Sequence, residues 1–126
     1  MPGEPLREEA LTRSVIGAFY EVYSTLGFGY MEQIYCEALS RELITRGHHL
    51  AREVLVRVMY KGEVIGRQRL DLIVDDILVV EVKSTAELHP VARRQLLSYL
   101  RATNLELGLL FHFGPRPKFY RFICST

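Results

Sequence analysis

Residues 77–83 read Ile-Leu-Val-Val-Glu-Val-Lys, an aliphatic and β-branched run that admits charge only near its end. A run this short and this apolar fits a strand buried on both faces. Such a strand belongs in the middle of a sheet, and the rest of the chain must supply its neighbours and cover. At 126 residues the chain is about one domain's worth. That suffices to enclose one core of moderate size.

The covering elements are legible from periodicity. Leu11, Val15, Ala18, Phe19, Val22 and Leu26 recur at helical spacing and predict an amphipathic helix over 6–26, stopped at Gly27. Met31, Ile34, Tyr35, Ala38, Leu39 and Leu43 predict a second helix over 30–46, ended by Gly47. Over 50–60, Val54, Val56 and Val58 alternate with Glu53, Leu55 and Arg57, and Lys61-Gly62 is a hairpin signal. A return strand over 63–74, kinked near Gly66, leads to the turn at Asp75-Asp76. Pro90 suits the first turn of a third helix, because its missing N–H is not needed there. That helix runs to Thr103, with Asn104 as a left-handed cap. Strands over 106–113 and 118–123 complete the chain around the Gly114–Pro117 loop. The expected fold is α/β, one domain over 1–126, a mixed β-sheet flanked by α-helices.

Composition narrows the class. Hydrophobic residues are 48% and charged residues 25%, which excludes disordered and collagen-like chains. No apolar run approaches the roughly 20 residues that cross a bilayer. The N-terminal MPGEPLREEA lacks the basic and apolar regions of a signal peptide. Cys36 and Cys124 have neither zinc nor redox spacing. The expectation is a cytoplasmic protein with reduced thiols and no membrane contact. The net charge of +1 argues against a strongly basic nucleic-acid binder. The charge is nonetheless blocked. Residues 1–37 and 71–87 are acidic, whereas 38–70 and 88–126 are basic. That pattern suits either a solvated surface or an acidic, cation-attracting centre between basic flanks.

Three charges decide between these. Glu81 and Lys83 are two apart on a strand and share a face. Asp71 stands in the preceding apolar run, Leu70 to Val74. Buried charges are costly unless paired or bound to metal. If the hairpin loop is odd, such as 75–77, Asp71 lies directly opposite Glu81. If the loop is 75–76, Asp71 faces Val80 instead. The odd loop, or an equivalent bulge, is expected. Two adjacent carboxylates repel unless a cation lies between them, and oxygen-rich sites of this kind suit Mg²⁺ or Mn²⁺. A lysine beside them can stabilise developing phosphate charge or orient the attacking water. Together these are a minimal kit for phosphodiester hydrolysis.

Asp71 followed by Glu81-Val82-Lys83 across a hairpin resembles the PD-(D/E)xK nuclease signature, with Leu70 where the proline would stand. Gly29 to Tyr35 reads GxxExxY, and Gln95 to Tyr99 reads QxxxY on the helix after the ExK strand. In this order the motifs resemble the GxxExxY family and the RecB-like branch, over nearly the whole chain. The resemblance implies a restriction-endonuclease-like core and a metal-dependent nuclease acting on DNA. It implies that Asp71, Glu81 and Glu32 hold Mg²⁺ or Mn²⁺, and that Lys83 is catalytic with Gln95 and Tyr99 positioning the site. The alternative is a catalytically silent module of the same fold that binds nucleic acid or a protein partner.

Other residues carry weaker expectations. Tyr35 and Tyr99 should pack their rings and offer hydroxyls to a site carboxylate or phosphate. Glu32 should be partly buried by Tyr35 and Cys36, and Cys36 should be a small core residue. Arg69, Arg93 and Arg94 are expected at nucleic acid, with Arg69 alternatively paired to Asp71; Arg101, Arg116, Lys118 and Arg121 are further phosphate candidates. His48 and His49 should be solvated, His89 should sit near the start of the third helix, and His112 should oppose Phe111 and Phe113. A homodimer is an open possibility, with Phe111, Phe113, Phe119 and Phe122 as interface candidates.

Overall fold

The expected elements all form. They are α1 (Gly3–Leu26), α2 (Glu32–Thr45), β1 (Leu50–Tyr60), β2 (Glu63–Val74), β3 (Leu78–Lys83), α3 (Val91–Thr103), β4 (Leu107–Phe113) and β5 (Pro117–Ile123). The structure is a computed structural model describing the backbone of residues 3–124 and the side chains of 8–124. Residues 1–2 and 125–126, the ends of the expected domain, lie outside the described residues.

The five strands form one sheet in the order β1-β2-β3-β4-β5, so the ILVVEVK strand is central. Only β3 and β4 pair in parallel. A parallel step needs a long crossover, and α3 supplies it. β4 is buried at every residue and β3 at every residue but Lys83, as strands covered on both faces must be.

On one face, Leu72, Val80, Val82, Phe111 and Phe113 meet Val15, Phe19, Tyr35 and Leu39 of α1 and α2. Phe19 stacks on Phe111 at 4.4 Å, and Tyr35 on Phe113 at 4.0 Å between ring centroids. Full burial of one such side chain contributes about 1.5–3 kcal/mol. Phe111 and Phe113 are therefore core residues and not interface candidates; of the four phenylalanines, Phe119 remains exposed. On the other face, Leu70, Val79 and Leu110 meet Ala92, Leu96, Tyr99 and Leu100 of α3. Gly108 makes this approach close. A Cβ there would lie 3.2 and 3.3 Å from the methyl carbons of Leu96 and Leu100.

The local signals hold. Asn104 caps α3 at φ 60°, and Pro90 precedes its first residue. Val58 pairs with Gly66 but Met59 with Val64, so Ile65 is the extra residue of a bulge at the expected kink. Val74 pairs with Leu78, which makes the β2–β3 loop the odd one, 75–77.

His48 departs from expectation. Its Nδ1 lies 2.7 Å from the Asp75 carboxylate and its Nε2 2.7 Å from the Ser14 hydroxyl. It therefore ties α1 to the β2–β3 turn instead of facing solvent, because the α2–β1 connection passes between them. Among the described residues, no helix is long and apolar enough to cross a membrane.

Candidate active site

The β2–β3 ladder runs through Val74–Leu78, Ile73–Val79 and Leu72–Val80. Continued one step, that register sets Asp71 opposite Glu81. There the side chains take over from the backbone. The Asp71 N–H donates to Glu81 Oε1 at 2.8 Å, and the Val82 N–H donates to Asp71 Oδ2 at 2.8 Å. Each carboxylate thus satisfies a backbone donor of the strand facing it, which would otherwise be orphaned where the ladder ends.

The neighbouring hairpin explains why the strands part here. Leu50, Leu72 and Val74 pack under α1 and α2, but Val54, Val56 and Leu70 pack under α3. The alternation of faces reverses across Glu53 and Asp71. Glu53 takes a left-handed φ of 50°, uncommon for a residue with a side chain. Asp71 consequently sits at the reversal, in the field of Glu32 from α2 and itself acting on Tyr99 of α3.

Burial pushes the Asp71 carboxyl upward, against the lowering effect of the Val82 N–H, and Glu32 adds to the rise. Burial raises Glu81 as well, and the charge of Asp71 raises it further. The pair cannot comfortably hold two negative charges without a cation.

Lys83 and Gln95 meet between β3 and α3: Lys83 Nζ donates to Gln95 Oε1 at 3.2 Å. Tyr99, one turn along α3, is buried. Its phenol is pushed up to about 12 by burial and then by Glu81 and Asp71. The carboxylates, Lys83, Gln95 and Tyr99 thus converge from β2, β3 and α3.

Glu32 approaches from the other side, at the first residue of α2. It is exposed and not partly buried. At the first turn of α2 its Oε2 accepts the Ser84 N–H at 3.3 Å. Met31, Glu32, Gln33, Cys36, Arg52, Asp71 and Ser84 line a cleft of about 510 Å³. Cys36 is therefore a cleft-wall residue and not simply a core one. Its thiol is pushed up to about 12 by burial, then by Asp71, Glu81 and Glu32. Arg52 and Ser84 were not singled out from sequence. Their signals were present: Arg52 pairs with Leu72 beside Asp71, and Ser84 directly follows the ExK strand.

Several expected partners are engaged elsewhere. Arg69 pairs with Glu53 at 3.1 Å rather than with Asp71, since the reversal places Glu53 nearer. Arg93 stacks over Tyr120 of β5 at 4.4 Å, toward the far edge of the sheet. Arg94 is exposed on α3. The Tyr35 hydroxyl donates to the Gly27 carbonyl and accepts the Tyr30 N–H, so it fixes the α1–α2 loop and not a site carboxylate. His89 Nδ1 accepts the Val91 N–H at the start of α3. His112 opposes Phe111 and Phe113 as expected; it is buried, and its Nε2 lies 2.8 Å from the Thr85 carbonyl.

Among the described residues, no three His, Cys, Asp or Glu groups converge tightly enough to ligate one ion. Two close carboxylates still suit Mg²⁺, which is held by one or two carboxylates and keeps several waters. Asp71 Oδ1 and Glu81 Oε2 accept no hydrogen bond from the described residues.

A family model described as the PD-(D/E)XK nuclease superfamily matches residues 9–122. No curated protein matches the sequence. Among solved structures, SSO0001 is similar at 23% identity and a TM-score of 0.59, over 96% of this chain and 61% of that one. An alkaline exonuclease from Laribacter hongkongensis is similar at 13% identity and a TM-score of 0.54, over 74% of this chain and 56% of that one. The chain therefore spans about three fifths of each, and the likeness is one of fold.

Proposed function

The chain belongs to the PD-(D/E)XK nuclease superfamily, and from that membership we propose that it is a metal-dependent nuclease hydrolysing phosphodiester bonds in DNA. One observation carries the reading: Asp71 and Glu81 are held face to face by reciprocal bonds to each other's strands. Nothing in packing alone asks for a buried Glu81 and a half-buried Asp71 facing each other within a sheet.

Asp71 and Glu81 would hold Mg²⁺ or Mn²⁺, with Glu32 at the cleft mouth supporting them. A divalent cation at such a site supplies Lewis acidity to a phosphate oxygen and promotes ionisation of water. Lys83, on the same strand face as Glu81, orients the attacking water and stabilises the charge that develops on the phosphate oxygens. The water oxygen bonds to phosphorus, the bond to the leaving oxygen breaks, and a proton goes to that oxygen. Gln95 holds the Lys83 ammonium at 3.2 Å and so restricts where it can point. Tyr99 closes the α3 side of the carboxylate pair. The GxxExxY and QxxxY motifs support placement in the GxxExxY family and the RecB-like branch.

Titration calorimetry with Mn²⁺ tests the site directly. The wild-type chain should bind the cation, Lys83→Ala should retain binding, and Asp71→Ala should lose it. Undiminished binding to Asp71→Ala would remove the proposed site.

A further inference from the structure

Beside the cleft, the chain spends large apolar side chains on solvent. Phe28, Tyr30, Met31 and Ile34 are 43%, 46%, 63% and 43% exposed, all within the α1–α2 loop and the first turn of α2. Single exposed apolar residues are ordinary, but a cluster marks an interaction site. This one is continuous with the candidate active site, because Met31 and Gln33 line the same cleft as Asp71 and Glu32.

The cluster is also held rigidly. Tyr30 uses its backbone at both ends: its N–H donates to the Tyr35 hydroxyl, and its carbonyl accepts the Ser84 hydroxyl. Its ring stands edge-on to Tyr35 at 6.0 Å. Gly29, at φ 125°, takes a conformation that side-chain-bearing residues rarely adopt and so shapes the loop. An aromatic side chain fixed before binding loses little entropy when a flat apolar group settles on it.

The apolar cluster suits an unpaired strand better than a duplex. Arg52 on the cleft wall and Arg69 lie in exposed surface pairs with Glu37 and Glu53, which phosphates of either form can displace. A duplex hides its base faces and offers nothing flat to an exposed ring. An unpaired strand exposes base faces, and every base can stack on an aromatic ring.

We propose that Tyr30, with Phe28 and Met31, forms a base-stacking lip, and that the substrate is an unpaired nucleic-acid strand. This rests on the nuclease reading in that it sets the scissile phosphate at Asp71 and Glu81 while the flanking bases lie on the lip.

The test is fluorescence anisotropy with a labelled DNA strand of about 12 nucleotides, within the usual span of such grooves, and with its blunt duplex. It is run with Mg²⁺ on the Lys83→Ala chain, so that no strand is cut. The single strand should bind about tenfold or more tighter than the duplex. Adding Tyr30→Ala should weaken single-strand binding about tenfold, whereas Tyr30→Phe should preserve it. The Tyr30 substitutions spare both backbone hydrogen bonds, so the loop should keep its shape. Equal binding of strand and duplex, or binding unaffected by Tyr30→Ala, would overturn the proposal; the latter is also expected of a patch that docks only protein. Cleavage by the Lys83-intact chain is scored separately. Its absence alongside Tyr30-dependent binding removes the nuclease reading alone, and its presence alongside Tyr30-independent binding removes the lip alone.

Discussion

Asp71 and Glu81 are set where neither can ionise cheaply. The charge pattern of two apolar runs was enough to single them out, because aspartate and glutamate inside strands need a reason. Their titration supplies a test. Glu81 ordinarily titrates at 4.5 and rises to about 8 in the fold, chiefly through burial and then through Asp71. Between those values the folded chain keeps a proton that the unfolded chain releases, so stability falls as pH rises. In EDTA, denaturant unfolding of the wild type should weaken by roughly 2–4 kcal/mol from pH 5 to pH 8, discounted because the pair shares its protons. Glu81→Gln, which retains an acceptor for the Asp71 N–H, should show a smaller decline. Excess Mg²⁺ at pH 8 should stabilise the wild type more than the variant. Partners of long side chains were harder to read from sequence. Arg69 chose Glu53, and Tyr35 the loop carbonyl of Gly27, on spatial neighbours that sequence spacing does not reveal.

At the level of elements, period and turn chemistry were legible. The three-residue β2–β3 loop followed from asking which register gives the carboxylates a shared purpose. The reversal at Glu53 and Asp71 was not legible. Residues 50–60 look like regular alternation, and the left-handed φ of Glu53 is imposed by the two faces of the sheet together. The closeness of α3 was also hidden, since one glycine in an apolar strand reads simply as a weak point. Gly108 sets that closeness, and α3 carries Gln95 and Tyr99. Gly108→Val should therefore cost about 1–3 kcal/mol by overpacking, read by chemical denaturation. Because it displaces the helix that holds Lys83, it should also lower cleavage in molecules that remain folded. A folded Gly108→Val chain with unchanged activity would detach α3 from the site.

Across the whole molecule, the acidic segments meet in space. The block at 71–87 provides Asp71 and Glu81, the first acidic block provides Glu32, and the fold brings Asp71 and Glu32 to one cleft with Glu81 bonded to the Asp71 backbone behind it. A bound divalent cation would offset much of that charge, so a net charge of +1 does not oppose a nuclease. The basic blocks were less informative: Arg52 and Arg69 lie in exposed pairs with neighbouring glutamates, and Arg93 lies over Tyr120. The fold class was legible because one central strand dictates its covering layers. The base-stacking lip was not, because Met31 and Ile34 look like the apolar face of a helix until the structure leaves them exposed. The most direct measurement of the central claim is cleavage of labelled single-stranded and duplex DNA in Mg²⁺, Mn²⁺ or EDTA, with Lys83→Ala beside the wild type. The wild type should cut with either cation and not in EDTA, and Lys83→Ala should stay folded while losing about a hundredfold or more of the rate. Cutting that persists in EDTA, or a Lys83→Ala chain that cuts as fast as the wild type, would contradict the account.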